Sequence, residues 1–157
     1  KSGGPVTVTD RKMTRFLMPI EKAVDLVFSA NERMNGGEVF VLKMPTFDVG
    51  TLAETMISAY DPAVGNPPDT VEIEIIGPRP GERMHEKLIS KDELQNTVEQ
   101  SDMFIIYPEI DLDNYQRREE TISLTSEYTS ANEEPMSSAE LLDMIERANV
   151  LPAEADR

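Results

Sequence analysis

"VEIEIIGPRPGERMHEKL", residues 71–88, joins an apolar strand to a turn made of prolines, a glycine and arginines. Val71–Gly77 alternates at its start and is apolar at its end, which is typical of a partly covered strand. Proline fixes the turn that follows, and glycine lets a backbone approach a ligand closely. Ligands of open α/β sheets bind outside the carboxyl ends of the strands. The stretch therefore predicts an α/β fold with a candidate binding turn at a strand end, followed by a helix that carries His85.

The side chains of this turn suit a nucleotide. Arg79 offers a planar guanidinium fork to phosphate oxygens, and Glu82 offers a pair of acceptors to ribose hydroxyls. An exposed surface loop explains the same residues equally well. His85, on the predicted helix, is more typical of a packed or half-exposed side chain than of a catalyst. The turn alone leaves both interpretations open.

The N-terminal third predicts a strand followed by a helix. "PVTVT" (Pro5–Thr9) is β-branched and alternating. Arg15 stands just before the helix, where a guanidinium beside a helix entrance suits a phosphate. An ordinary exposed arginine is the alternative, and this segment alone favours it. Pro19 opens the helix, whose apolar stripe consists of Ile20, Ala23, Val24, Val27 and Phe28.

The middle of the chain predicts a βαβ unit. "VFVLKM" (Val39–Met44) is a continuous apolar run, as in a strand that is buried on both faces. Asp48 can cap the next helix, whose apolar stripe consists of Leu52, Ala53, Met56 and Ile57. With the strand at Val71–Gly77, this order predicts a parallel pair joined by a right-handed crossover.

Two capping boxes and one more strand follow. Ser90 with Glu93, and Ser137 with Glu140, have the spacing at which each side chain binds the other residue's backbone N–H. The second box predicts the start of a terminal helix. Between the two boxes, "MFIIYPEI" (residues 103–110) predicts a strand or an extended segment that ends at Pro108.

Composition restricts the classes of function. The chain has 157 residues, of which 39% are hydrophobic and 29% charged, as in one globular domain. It has no cysteine and one histidine, which excludes thiolate chemistry and a histidine metal cluster, and no metal site is predicted. No apolar run reaches the roughly 18 residues of a membrane span. The net charge of −15 argues against binding to nucleic acid or anionic membranes.

The negative charge is concentrated in the last two thirds of the chain. Residues 1–50 contain 7 basic and 6 acidic side chains, whereas residues 51–157 contain 8 and 24. A solvated acidic face is the preferred interpretation of this excess. A docking surface for a basic partner is the other interpretation.

Three segments resemble one enzyme family, and they occur in that family's order: "VTDRKMTRFLMPIEKAVDLVFSANERMNGGEVFVLKMP", "IEIIGPRPGERMHEKLIS" and "EYTSANEEPMSSAELLDMI". They are similar to the C-terminal half of the polysaccharide-biosynthesis branch of the extended short-chain dehydrogenase/reductases. That branch includes UDP-N-acetylglucosamine 4,6-dehydratases and UDP-sugar 4-epimerases. The resemblance implies an α/β substrate-binding lobe of a Rossmann-type, NAD(P)-binding enzyme over residues 1–150, with a frayed tail at 151–157.

The resemblance also implies site residues. In the family, the arginines of the "TRF" and "RPGE" segments grip the UDP pyrophosphate, and these positions are Arg15 and Arg79 here. Glu82 matches a residue that holds the uridine ribose. The strand before "TRF" lies along the uracil, which points to main-chain groups near Thr7 and Thr9. On this interpretation the turn after Gly77 binds a diphosphate.

The family's catalytic residues have no counterpart in this sequence. There is no Gly-x-x-Gly-x-x-Gly turn, and no tyrosine is followed four residues later by a lysine. We therefore expect no catalytic and no cofactor-binding residue in this chain. The resemblance implies that NAD or NADP is bound by a missing N-terminal half and that the fragment alone is inactive. The start at Lys1 agrees with a piece of a longer polypeptide.

The implied activity is that of a cytoplasmic, homo-oligomeric enzyme that acts on a UDP-sugar in surface polysaccharide biosynthesis. A UDP-N-acetylglucosamine 4,6-dehydratase is preferred, because "GPRPGERMHE" resembles the dehydratases slightly more than the epimerases. A UDP-sugar 4-epimerase is the alternative within the family. A catalytically empty acidic interaction module, which would bind a basic partner and not UDP, is the alternative from another class.

Overall fold

The computed structural model describes residues 4–67, 70–109 and 124–149. No helix in these ranges has both the length and the apolar character needed to cross a membrane. The elements occur in this order: β1 (Val6–Val8), β2 (Thr14–Phe16), α1 (Ile20–Arg33), β3 (Val39–Leu42), β4 (Thr46–Asp48), α2 (Val49–Ala63), β5 (Ile73–Ile75), β6 (Lys87–Ile89), a 3₁₀ helix (Lys91–Asn96), β7 (Thr97–Glu99), β8 (Met103–Ile106), β9 (Tyr128–Thr129) and α3 (Ser138–Arg147).

The first of two compact units comprises Lys1–Leu17, Pro45–Glu86 and Glu133–Arg157. In it β1 runs parallel to β5, and β2 runs antiparallel to β4. Helices α2 and α3 pack on each other. The buried apolar side chains of this unit include Met13, Phe47, Ile57, Leu141 and Ile145. The unit contains all five residues that the sequence nominates for the UDP site.

The second unit comprises Met18–Met44 and Lys87–Asn132. Strand β8 lies between β3 and β7 in an antiparallel sheet, and β6 pairs with β9. Leu26 of α1 and Phe40 of β3 pack against its core cluster, which consists of Val98, Met103, Ile105 and Tyr107. Because these apolar contacts come from a helix and from all three strands of the sheet, they bind α1 to this unit.

Three of the predicted helices are present, as α1, α2 and α3, and both capping boxes form. Ser137 and Glu140 make reciprocal bonds at the start of α3, with the Ser137 N–H donating to Glu140 Oε2 at 2.8 Å. The box at Ser90 opens a 3₁₀ helix. Asp48 precedes α2 as expected, but its side chain makes no capping hydrogen bond. Local sequence signals are sufficient for these elements because their deciding contacts lie within one turn.

The predicted βαβ unit is wrong in its strand pairing. β3 joins the antiparallel sheet of the second unit, and β5 pairs in parallel with β1, in a register that runs from Val6–Ile73 to Val8–Ile75. The predicted parallel pair of β3 with β5 therefore does not form, and the parallel partner of β5 is β1. Alternation and apolar runs identify a strand without identifying its partner, which is why the pairing was missed.

The predicted helix around His85 is also wrong. After the turn at Arg79–Glu82 the chain is irregular up to Glu86 and then enters β6. The Met84 carbonyl accepts a hydrogen bond from the Thr14 N–H at 3.0 Å, and Glu86 Oε2 accepts one from the Phe16 N–H at 2.9 Å. These bonds to β2 replace the bonds that a helix would make within itself.

The apolar stripe predicted for α1 lies on the helix, but it does not face the core of the described chain. None of the residues of α1 is buried, and Ile20, Val27 and Phe28 are 66–71% exposed. Within the stripe only Ala23 is half-buried, and the other half-buried positions, Leu26, Ser29 and Ala30, lie on another side of the helix. Strand β3 is likewise only half-buried and has an exposed Val39, so the prediction of a strand buried on both faces is wrong.

The prediction of one lobe over residues 1–150 remains a prediction. The predicted frayed tail at 151–157 lies outside the described residues.

Candidate functional site

Arg15 lies at the centre of β2, opposite Phe47 of β4. Its side chain is only 21% exposed. Nη1 donates hydrogen bonds to the carbonyl oxygens of Thr14 at 2.8 Å and Met84 at 3.2 Å. Main-chain oxygens from two segments therefore fix the direction of the guanidinium, which is a favourable starting point for binding an anion.

Two glutamates flank this guanidinium. Arg15 Nη2 lies 3.6 Å from Glu82 Oε1, and Arg15 Nε lies 3.8 Å from Glu86 Oε1. Ion pairs of this exposure each contribute roughly 0.2–1 kcal/mol. Glu86 is additionally held by the hydrogen bond from the Phe16 N–H. Glu86 is therefore held to β2 by a main-chain hydrogen bond, whereas Glu82 interacts with Arg15 only through an ion pair.

The Arg79–Glu82 turn is closed by bonds of its own. The Glu82 N–H donates to the Arg79 carbonyl at 3.0 Å, and the Arg79 N–H donates to Glu82 Oε2 at 3.0 Å. Gly81 has a φ of 84°, a conformation that favours glycine. Arg79 is exposed, and its guanidinium has no hydrogen bond or ion pair within the described ranges. The turn thus leaves one arginine side chain open to a ligand.

The two threonines are placed differently. Thr9 is half-buried after β1, and its hydroxyl donates to Met13 Sδ at 3.1 Å, while the same sulfur lies 3.4 Å from Arg15 Nη2. Thr7 is exposed in β1, opposite Glu74 of β5. Contacts therefore link four of the five nominated residues, and among the described residues no contact links Thr7 to the other four.

Several supporting residues were given no role by the sequence. Glu86 belongs to the motif shared with the family, but only the fold brings it to Arg15. His85 Nδ1 lies 2.8 Å from the Thr14 hydroxyl. Gly50 in the first turn of α2 approaches Arg11 so closely that an added Cβ would lie 2.9 Å from the Arg11 Cβ. These contacts join segments distant in sequence, and no local pattern signals them.

Asp61, near the C-terminal end of α2, accepts hydrogen bonds from Thr70, which lies in the segment that leads into β5. Its side chain is buried, and Oδ2 accepts hydrogen bonds from the Thr70 N–H at 2.9 Å and from the Thr70 hydroxyl at 3.1 Å. Burial raises the pKa of Asp61, but hydrogen bonds from Thr70, Asn66 and Val71 outweigh that effect and lower the pKa below its ordinary value of 3.8. The ionised form is the one that the fold prefers.

We expect Asp61→Asn to lower the Tm by several degrees at neutral pH, because an amide is a weaker acceptor for these donors. A group with a lowered folded pKa stabilises the fold above its unfolded pKa, and the contribution is lost as the pH falls through the folded value. The Tm difference between variant and wild type should therefore shrink from pH 7 towards about pH 3. Thermal unfolding at both pH values measures it, with the exposed Asp25→Asn as the charge-matched control. A difference that is independent of pH would contradict this account.

The glycine pair at Gly36 and Gly37 does not have the chain order of a dinucleotide-binding turn. A pyrophosphate-binding turn leads from a strand into the N-terminus of a helix, whose free N–H groups face the phosphates. Gly36 and Gly37 lie between the C-terminal end of α1 and β3, which is the opposite order. Within the described ranges, no group of three or more histidine, aspartate or glutamate side chains is arranged to hold a metal ion.

Comparison with known proteins assigns the class. The sequence profile of the polysaccharide biosynthesis protein family matches residues 1–108. The chain belongs to this family.

Individual relatives carry several names. The chain is 48% identical over 108 residues to an "uncharacterized membrane protein" of Methanocaldococcus jannaschii, a match that covers 69% of the chain and 32% of that protein. It is 31% identical over 149 residues to a UDP-glucose 4-epimerase of Rickettsia massiliae, covering 92% of the chain and 42% of that protein. It is 36% identical over 105 residues to an inverting UDP-N-acetylglucosamine 4,6-dehydratase of Campylobacter jejuni, covering 67% of the chain and 28% of that protein.

A solved structure shares the fold. The crystal structure of Pen from Bacillus thuringiensis superposes with a TM-score of 0.82 at 34% identity, over 94% of this chain and 42% of that one. The chain therefore spans less than half the length of these relatives. The mixed α/β fold agrees with the expected dehydrogenase-type class.

Proposed function

We propose that this chain binds the UDP portion of a nucleotide sugar, as part of an enzyme of surface polysaccharide biosynthesis. The activity we favour is that of a UDP-N-acetylglucosamine 4,6-dehydratase. One observation carries the proposal: Arg15 and the Arg79 turn, from segments far apart in sequence, meet at the single carboxylate of Glu82. An arrangement that holds one anionic group between two arginine segments suits a diphosphate.

Each residue has a proposed role. The exposed guanidinium of Arg79 and the fixed guanidinium of Arg15 bind phosphate oxygens, since a planar fork matches their geometry. Glu82 accepts hydrogen bonds from the ribose hydroxyls. Main-chain groups near Thr7 and Thr9 lie along the uracil. In this arrangement Arg15 contacts the phosphates and Glu82 contacts the ribose. The main chain of β1 contacts the base.

No chemical step is assigned to the described residues. The intact protein is proposed to use NAD or NADP, held by a part of the protein outside this chain, because this sequence contains no Gly-x-x-Gly-x-x-Gly turn. The same proposal includes a cytoplasmic location and a homo-oligomeric state for the intact enzyme. The contribution of this chain is to bind and orient the nucleotide sugar.

A UDP-sugar 4-epimerase is the second candidate. The match to the Rickettsia epimerase extends over 92% of the chain, whereas the match to the Campylobacter dehydratase covers 67%. Incubation of the intact protein with UDP-N-acetylglucosamine, followed by chromatography and mass spectrometry, separates the two, because a dehydratase product is lighter by one water and an epimerase product has unchanged mass but a different retention time. Loss of water in mass spectrometry supports the dehydratase. An interaction module would give neither product and would not bind UDP.

Arg79→Ala tests the proposed binding site. A hydrogen bond to a charged group contributes about 1.5–3 kcal/mol, so UDP affinity should fall by about tenfold or more. Because the Arg79 side chain is exposed and its guanidinium makes no hydrogen bond or ion pair with a described residue, the stability of the unliganded protein should not change. Isothermal titration calorimetry and thermal unfolding measure the two quantities. Arg147→Ala, an exposed arginine of α3, is the control. Unchanged UDP affinity in Arg79→Ala would exclude the assigned role.

A further inference from the structure

Glu82 contacts both arginine segments of the site at once. Its Oε1 lies 3.6 Å from Arg15 Nη2, and its Oε2 accepts a hydrogen bond from the Arg79 N–H at 3.0 Å. A carboxylate presents two oxygens that share one negative charge. One oxygen is paired with the Arg15 guanidinium and the other with the Arg79 main chain.

We infer that Glu82 occupies the anion position of the site and gives it up to the ligand, so that Glu82 selects a nucleoside diphosphate over a bare diphosphate. This inference rests on the proposed function, because it assigns Glu82 the ribose hydroxyls as its second partner. Glu82 is thereby a specificity-determining residue as well as a ligand contact.

The contact between Arg15 and Glu82 is suited to exchange. At 3.6 Å it is beyond hydrogen-bond range and is an ion pair at a partly exposed position, which is broken at little cost. Glu86 differs, because the Phe16 main chain donates a 2.9 Å hydrogen bond to it. Glu86 therefore stays beside Arg15 Nε and orients the guanidinium while Glu82 leaves.

The charges explain the selectivity. The guanidinium of Arg15 lies beside two glutamates, Glu82 and Glu86. A diphosphate that approaches Arg15 meets the like charge of Glu82. A ribose next to that diphosphate offers hydroxyl donors, and Glu82 exchanges its arginine partner for them. Inorganic pyrophosphate offers no such donor, so it has to displace Glu82 without compensation.

Glu82→Gln tests the inference. Glutamine has the same shape and retains a carbonyl acceptor for the Arg79 N–H, but it has no charge to pair with Arg15. In calorimetric titrations of the intact protein, the affinity for inorganic pyrophosphate should rise by about two- to fivefold, the range expected for removal of an exposed ion pair. UDP affinity should not rise, because the ribose loses a charged acceptor. The ratio of UDP to pyrophosphate affinity should therefore fall.

Glu146→Gln is the matched control, because it removes the same charge from an exposed position of α3. A rise in pyrophosphate affinity that is equal in both variants would reflect net charge alone and would overturn the inference. Equal pyrophosphate affinity in wild type and Glu82→Gln would overturn it as well. Wild-type protein that does not bind UDP would instead disprove the proposed function. Pyrophosphate binding by Glu82→Gln alone would still show that the carboxylate occupies an anion position.

Discussion

Arg15→Ala is expected to cause the largest loss of UDP affinity of any single substitution in the site, about 100-fold. The substitution removes a guanidinium that can give two charge-assisted bonds to phosphate oxygens, each worth about 1.5–3 kcal/mol. It also leaves Glu82 and Glu86 without the cation that lies between them. Both carboxylates would then repel the diphosphate. Isothermal titration calorimetry with UDP measures the effect.

Arg15→Lys separates charge from geometry. A lysine keeps the positive charge but cannot reach the Thr14 and Met84 carbonyls and both glutamates at the same time, as the guanidinium does. We expect its UDP affinity to lie between those of the wild type and Arg15→Ala. If Arg15→Ala keeps UDP affinity within about threefold of wild type, Arg15 is not a phosphate ligand. A loss that is matched by general unfolding, monitored by circular dichroism, would show that Arg15 is structural.

The parts of the fold that were predictable depend on local contacts. The Ser137–Glu140 capping box predicts the start of α3, and a short apolar run predicts the strand at Met103–Ile106. The pairing of β1 with β5 depends on the whole intervening chain. Short strands of three residues carry too little pattern to specify a partner.

The site was predictable to the extent that its chemistry is local. The turn at Arg79–Glu82 contains its own proline, glycine and carboxylate, and the hydrogen bonds that close it lie within four consecutive residues. The link from this turn to Arg15 is tertiary. Glu86 illustrates the difference, because a helix was expected there, yet the chain instead presents Glu86 to the main chain of β2. Local helix preference gave way to hydrogen bonds with a strand.

Leu141→Ala is expected to cause the largest loss of stability among the apolar substitutions considered, about 2–5 kcal/mol. Leu141 is fully buried in α3, which packs on α2, so the deletion removes apolar contacts and leaves a cavity. Phe28→Ala on α1 removes a larger side chain, but that side chain is 66% exposed. We therefore expect it to cost less than about 1 kcal/mol, close to an ordinary surface substitution. Urea unfolding of the 157-residue chain gives both free energies.

Comparing the stability losses of these two variants is informative, because side-chain size alone predicts the larger loss for Phe28→Ala. If burial is determined by the stripe pattern of α1, as the sequence suggests, Phe28→Ala should cost at least as much as Leu141→Ala, since phenylalanine is the larger apolar group. If the exposure of Phe28 in the structure determines the effect, Phe28→Ala lowers the free energy of unfolding of the 157-residue chain only slightly. A cost at Phe28 that equals the cost at Leu141 would mean that the stripe is covered in solution and would contradict the exposed α1 face.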